Sequence, residues 1–309
     1  MSIISVLMLS SCVSNPIVSN SASNNESIVP LLNIQTINFE ERQTISWGVQ
    51  KLKELQNVEI KGTKKVKVAI VDSGIDKKHK DFDNKIVKEF NAISPAEPIV
   101  DILGHGTAVA SIIAAADNGI GLLGISPDVE IYSVKVLDEN GNAQVEDLVN
   151  AIDWCIKNEV NVINLSIGIS KDKVSLKNVI ERAIRSNIII VASAGNTYSS
   201  KVDYPAAYEK VISVSAIDEN GKVPTFASLG KVDFFAPGVN VLTFSKDNGY
   251  MLNQGTSLAA AHVTGLIANI IQSPDYYKLN EVSYDSVYNA LSGLAQPLKS
   301  KQLNVGLLK

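Results

Sequence analysis

From about residue 64 onward the chain repeats one rhythm: an apolar run of strand length, a segment with helical spacing, then another apolar run. KVKVAIVDSG (65–74) reads as a buried strand ending at an acid and a glycine, and GTAVASIIAAA (106–116) as a helix. VEIYSVKVL (129–137) is a strand, and QVEDLVNAIDWCIKNE a helix with Val145, Leu148, Ile152, Cys155 and Ile156 on one face. VNVINLSIG (160–168) and IIIVASAGN (188–196) are further strands, with a helix over 174–186 between them. VISVSAI (211–217), the helix SLAAAHVTGLIANIIQ and an amphipathic segment near 283–294 complete the series. Strands that are apolar on both faces belong to a mostly parallel sheet covered by helices, so the expected class is α/β. Ligands in such sheets bind beyond the C-terminal strand ends. Asp72, Ser166, Asn196 and the stretch up to Ser257 all fall at strand ends or helix entries, on one prospective rim.

The length of 309 residues suits one α/β domain with short extras at the ends. A composition 45% hydrophobic and 19% charged fits a globular protein with a large core. The net charge is −4, from 28 basic and 32 acidic residues, and no basic block stands out, which argues against a nucleic-acid partner. The two cysteines, Cys12 and Cys155, supply neither a disulfide framework nor a CxxC metal site, and Cys155 reads as an inert core thiol. No internal repeat is present.

The stretch NQGTSLAAAHVTG (253–265) sets a serine at the head of an apolar helix. An N-cap would account for it, and so would a nucleophile held where helix N–H groups meet a developing oxyanion. The three histidines narrow the choice. His105 lies between two glycines at a helix start, where the ring is unobstructed. His262 follows Ser257 on the same helix but points roughly 140° away, so it is expected to be structural. His79, in KKHKD, reads as a solvated loop residue. An acid (Asp72), a histidine (His105), an amide (Asn196) and a serine (Ser257) are the parts that acyl transfer needs.

VDSGID (71–76), GHGTAVA (104–110), ASAGN (192–196) and GTSLAAAHV (255–263) resemble, in order, the motifs of subtilisin-like serine proteases, the subtilases. The resemblance runs from about Gln43 to about Ala290 and implies a three-layer α/β/α fold. It implies a triad of Asp72, His105 and Ser257, with the Asn196 side chain and the Ser257 N–H as the oxyanion hole. Ser166, Ile167 and Gly168 match one wall of the S1 pocket, and Ser193, Ala194 and Gly195 the other. Gly141, Asn142 and Ala143 match the edge that pairs with substrate backbone, and Leu103 would line S2. Asp203 stands at the position implied for the base of S1, which predicts cleavage after Arg, then Lys; the alternative is a rim residue paired with Lys201. This chain departs from the family pattern at Leu258, where methionine is usual, at Ala261, where proline is, and at Ile169, where glycine is. None of these removes catalytic machinery.

The resemblance also implies a structural Ca²⁺ site from Gln43, Asp81, Asn118 and the carbonyls of Ala116, Ile120 and Leu122, an oxygen-only set suited to that ion. The alternative is that Asp117-Asn118-Gly119 is merely a turn. At the N-terminus, MSIISVLMLSSC resembles a bacterial lipobox, with Cys12 as a candidate lipid anchor, although no Lys or Arg precedes Arg42. Residues 1–12 are then a lipoprotein-type signal, 13–42 a tether or short pro-segment, and 43–309 the peptidase domain. Ser27–Leu32 resembles the short pro-peptide of intracellular subtilisins, so the compartment is open between an exported and a cytoplasmic one. The expected enzyme is a monomeric serine endopeptidase of limited specificity, such as those that remove lanthipeptide leaders, acting on peptide or protein substrates. Its rivals are a broad degradative protease and an inactive binding module.

Overall fold

The computed structural model describes residue 39 and residues 42–56, 65–82, 84–198 and 201–297, together with the backbone of 306–307. The signal segment, with Cys12, and the tether segment apart from Phe39 and Arg42 lie outside these residues. The elements, in chain order, begin with α1 (Trp47–Gln56), β1 (Lys67–Asp72), β2 (Ile86–Asn91), α2 (His105–Ala114) and β3 (Glu130–Lys135). They continue with α3 (Val145–Lys157), β4 (Val162–Leu165), α4 (Val174–Arg185), β5 (Ile189–Ser193), β6 (Ile212–Ile217) and β7 (Phe234–Pro237). Then come β8 (Val241–Ser245), β9 (Gly249–Asn253), α5 (Thr256–Gln272), α6 (Tyr284–Leu294), β10 (Gln296–Pro297) and β11 (Gly306–Leu307).

The main sheet has the order β10-β11-β7-β6-β5-β4-β1-β3-β2, and every neighbouring pair but β10–β11 is parallel. The alternation of side chains along each strand divides the core in two. Val68 and Ile70 of β1 face one hydrophobic cluster with residues of α1, α2, α5 and α6, while Ala69 and Val71 face another with residues of α3 and α4. Three layers result, as expected from strands apolar on both faces. Helix α5 is buried along its whole length, which explains why its sequence is apolar on every side.

The chain leaves β3 on one side of β1 and re-enters the sheet at β4 on the other. The C-terminal ends of β1 and β4 therefore flank a topological switch, the place where such sheets open a crevice. β8 and β9 form a separate antiparallel hairpin at that end.

One expectation fails here. His79 is 2% exposed rather than solvated. Its ring stacks on Phe244 at 3.9 Å between centroids, and Nε2 lies 3.2 Å from the Gly249 carbonyl. The lysines around it suggest a wet loop, but the turn aims the imidazole inward at the hairpin. His262 is fully buried, with Nδ1 2.8 Å from the Leu258 carbonyl, and Cys155 is fully buried as well.

Candidate active site

Asp72 is the last residue of β1 and has no exposed surface. Its Oδ1 accepts the Ser73 N–H at 2.7 Å, and its two carboxylate oxygens lie 2.8 and 3.0 Å from His105 Nδ1. That contact assigns the Nδ1 proton, so Nε2 carries the lone pair. His105 opens α2 behind Gly104, which holds a left-handed φ of 74°. Gly106 is required by close approach: a Cβ there would lie 2.0 Å from the Gly74 carbonyl oxygen.

Ser257 lies in the first turn of α5, whose N-cap is Gly255. Its hydroxyl donates to the Ser166 carbonyl over a long 3.4 Å. Asn196 follows β5, and its Oδ1 accepts from both the Thr256 N–H and the Thr256 hydroxyl at 3.1 Å. With the oxygen held, Nδ2 turns toward Gly255: an added Cβ at that glycine would lie 3.5 Å from Asn196 Nδ2 and 3.9 Å from the Ser257 nitrogen. Two N–H donors thus converge beside the serine at the positive end of a helix, the arrangement an oxyanion needs.

The segments Ser166–Gly168, after β4, and Ser193–Gly195, at the end of β5, face each other across Asp203. A Cβ on Gly168 would sit 2.7 Å from Asp203 Cβ, and one on Gly195 would sit 2.6 Å from Asp203 Oδ2. The Asp203 N–H donates to the Ala194 carbonyl at 3.1 Å, while Ile169 and Tyr204 exchange backbone bonds at 2.8 and 2.9 Å. Among the described residues the Asp203 carboxylate has no cationic partner, and Lys201 does not pair with it. Burial pushes its carboxyl above the usual range. Gly141 and Asn142 lie in a turn closed by the Asp138 carboxylate, which takes the Asn142 N–H at 2.8 Å, and Ala143 follows, buried. A cavity of about 440 Å³ adjoins His105, lined among others by Leu103, Ala108, Met251 and Leu258.

The residues expected to hold calcium also come together. Asp81 is fully buried; its Oδ2 accepts the Leu122 N–H at 3.0 Å and the Tyr250 hydroxyl at 2.9 Å, while Oδ1 has no hydrogen-bond partner among the described residues. Gln43 Nε2 lies 2.7 Å from the Ala116 carbonyl and 3.3 Å from that of Leu122, so these oxygens converge. Asn118 Oδ1 accepts the Ile120 N–H at 3.1 Å on the same loop. A buried carboxylate oxygen left without a donor, beside converging carbonyls, fits a hard cation. No cluster of three or more His, Cys, Asp or Glu occurs among the described residues, so any ion here would depend on carbonyl and amide oxygens beside the Asp81 carboxylate.

Sequence reasoning missed several residues. Asp101 lies just before the quoted histidine motif and was not singled out, yet it accepts four hydrogen bonds around His105. Thr256 orients Asn196, and Tyr250 reaches Asp81. Phe39, upstream of Gln43, stacks on Tyr250 at 3.9 Å, and its carbonyl accepts the Gly121 N–H at 2.7 Å. An acid three residues before a glycine N-cap is the one signal of these that could have been read in advance.

A family model described as the subtilase family matches residues 63–302. Subtilisin DY of Bacillus licheniformis is 37% identical over 263 residues, covering 83% of this chain and 93% of that protein. Subtilisin E of Bacillus subtilis is 38% identical over 242 residues, 76% of this chain and 63% of its own length. The thermostable alkaline protease of Halalkalibacterium halodurans is 37% identical over 243 residues, 78% and 66% of the two chains. No helix among the described residues is long and apolar enough to cross a membrane.

Proposed function

The chain belongs to the subtilase family and is a subtilisin-like serine endopeptidase, and from that premise we propose that it cuts polypeptides after a basic residue. In this reading Ser257 Oγ attacks the peptide carbonyl carbon while His105 Nε2 takes its proton. Asp72 fixes the tautomer and stabilises the imidazolium. The oxyanion is received by Asn196 Nδ2 and the Ser257 N–H, and the imidazolium returns its proton to the leaving amine. Water then repeats the sequence on the acyl-enzyme and releases the acid.

The observation that carries the basic preference is the Asp203 carboxylate, partly buried between Gly168 and Gly195 with no cation of its own among the described residues. A guanidinium entering between those glycines would supply the missing partner in bidentate form; an ammonium would do so with one point charge. Leu103 and the adjoining cavity favour an apolar residue or proline before the basic one. Exposed Arg42 immediately precedes Gln43, which makes Arg42–Gln43 the bond for self-processing. The physiological use we favour is limited processing of a precursor by a monomer tethered outside the cell at Cys12. Calcium, held by Gln43, Asp81, Asn118 and the carbonyls of Ala116, Ile120 and Leu122, would neutralise the buried carboxylate and lock the N-terminal segment to the fold.

Cleavage of a peptide library tests this. The expected result is dominant Arg at the residue before the cut, Lys second, with Asp203→Asn losing on the order of 10²-fold or more in kcat/KM for Arg peptides only. Ser257→Ala and His105→Ala should each be inactive, and the double variant hardly worse. A preference for Phe or Leu that Asp203→Asn leaves unchanged would sink the basic reading. Digestion of a denatured protein separates processing, with few defined cuts, from degradation to small products.

A further inference from the structure

The helix that presents His105 has no cap of its own. Gly104 is the N-cap of α2 and supplies no side chain, so the first N–H groups need an acceptor from elsewhere. Asp101 provides it. Its Oδ1 accepts the Gly104 N–H at 2.8 Å, and its Oδ2 accepts the Thr107 N–H at 3.0 Å and the Thr107 hydroxyl at 2.6 Å. The fourth bond leaves the helix: the Ser73 hydroxyl donates to Asp101 Oδ1 at 2.8 Å and itself accepts the Gly106 N–H at 2.9 Å. Ser73 adjoins Asp72. One buried carboxylate therefore ties the exit of β1, where the acid sits, to the start of α2, where the base sits.

A second charge stands behind the same pair. Lys135 ends β3, directly opposite Asp72 in the strand register, and is 9% exposed. Its Nζ donates to the Ser73 carbonyl at 2.8 Å. Burial lowers its pKa, while Asp101 and Asp72, then Asp138, raise it, so this ammonium interacts electrostatically with both buried acids. The geometry points to Asp101 and Lys135 as positioning residues that hold the Asp72–His105 pair and bias its proton affinity in opposite directions. This rests on His105 being the general base.

The signs follow from Coulomb's law at short range inside the protein. The anion of Asp101 stabilises the imidazolium, and the cation of Lys135 opposes it. The other charged groups on elements around His105 are Asp72 itself, Asp76 after β1, Asp138 after β3, and Lys246 and Asp247 in the hairpin. These stay constant when either buried charge is changed. Neutralising Asp101 should move the acid limb of kcat/KM to lower pH, and neutralising Lys135 should move it to higher pH. Each shift is expected at about half a pH unit or more.

The experiment is the pH profile of kcat/KM for the full 309-residue chain carrying Asp101→Asn, Lys135→Met or Lys135→Arg. Active enzyme is counted by fluorophosphonate labelling, so that misfolded protein does not enter the rates. Expected are opposite displacements for Asp101→Asn and Lys135→Met, restoration of the limb by Lys135→Arg, and lower kcat in Asp101→Asn with KM little changed. Should Asp101→Asn fail to fold, the Lys135 pair still decides, because Met and Arg differ there in charge. Coincident acid limbs for the wild type and Lys135→Met, or an equal displacement by Lys135→Arg, overturn the inference. A wild-type chain that does not label would instead overturn the assignment of function beneath it.

Discussion

An amide can be aimed only when its other end is held. Asn196 meets that condition, because two donors from Thr256 fix its oxygen and direct Nδ2 toward the Ser257 backbone nitrogen. A donor aimed at an oxyanion does most of its work in the transition state. Asn196→Ala is therefore expected to lower kcat on the order of 10²–10³-fold while KM changes little. Asn196→Asp keeps the acceptor for Thr256 but turns an anion toward the developing charge, so it should be slower still. Steady-state kinetics on a short peptide amide separates the two parameters. A rise in KM with kcat intact would remove Asn196 from the oxyanion site. At the same scale, Cys155 shows what an unused group looks like: it is fully buried, and burial alone pushes its thiol far up, so no thiolate forms there at neutral pH.

The elements best legible in the sequence are those whose residues answer to one environment. β1, β3, β4, β5 and β6 are buried on both faces, α5 is buried all round, and α3 and α4 carry a strong apolar stripe, so runs of apolar and small residues locate them. The segments carrying Asp72, His105, Asn196 and Ser257, and the runs Ser166–Gly168 and Ser193–Gly195, stood out in the sequence too, because each is a short motif at a strand end or a helix start. α1, β2 and the β8–β9 hairpin were not. β2 reads IVKEFN, with exposed charge at its centre, and β9 is mostly half-exposed; both are held by neighbours rather than by their own pattern. Aromatic stacking between Phe39 and Tyr250 and between His79 and Phe244 joins the upstream segment, the Asp81 turn and the hairpin, and none of these pairs is local in sequence. This corner is where the proposed ion belongs. In the chain carrying Ser257→Ala, which cannot digest itself, EDTA is expected to lower Tm by roughly 5–10 °C relative to saturating Ca²⁺, since ligand bound only to the folded state stabilises it by mass action. Asp81→Asn should abolish the calcium response, yet in EDTA it should melt no lower than its parent. The substitution removes a buried anion whose Oδ1 is otherwise unpartnered. A melting temperature indifferent to Ca²⁺ would dismiss the site.

On the scale of the whole molecule, the response to acid should pass through the central helix. His262 lies within α5 with no exposed surface; its Nδ1–H donates to the Leu258 carbonyl and its Nε2 has no hydrogen-bond partner among the described residues. The ring is enclosed by α1 and β7, since a Cβ on Gly48 would lie 2.4 Å from Nε2 and 2.6 Å from Pro237 Cβ. A charged imidazolium has no place there, and burial lowers the pKa to about 4, against a smaller opposing effect of the Leu258 carbonyl. The folded value lies below the unfolded one, so the unfolded chain takes up the proton first as pH falls. The contribution of this histidine to stability is therefore whole above pH 6.5 and is lost progressively down to pH 4. From the size of the shift it amounts to about 3 kcal/mol. Asp203 works the other way: its raised carboxyl pKa lets the folded state bind a proton first, which favours folding as the pH drops through that range. The net effect should still be acid loss, because the His262 ring is completely buried while Asp203 keeps contact with solvent. Melting curves of the Ser257→Ala chain in EDTA, run from pH 7.5 to pH 4, should fall steadily through this window. His262→Met fills the same space without a titrating group, so it should melt lower than its parent at pH 7.5 and close the gap by pH 4.5. Two curves that run parallel across the whole range would show that His262 plays no part in the acid response.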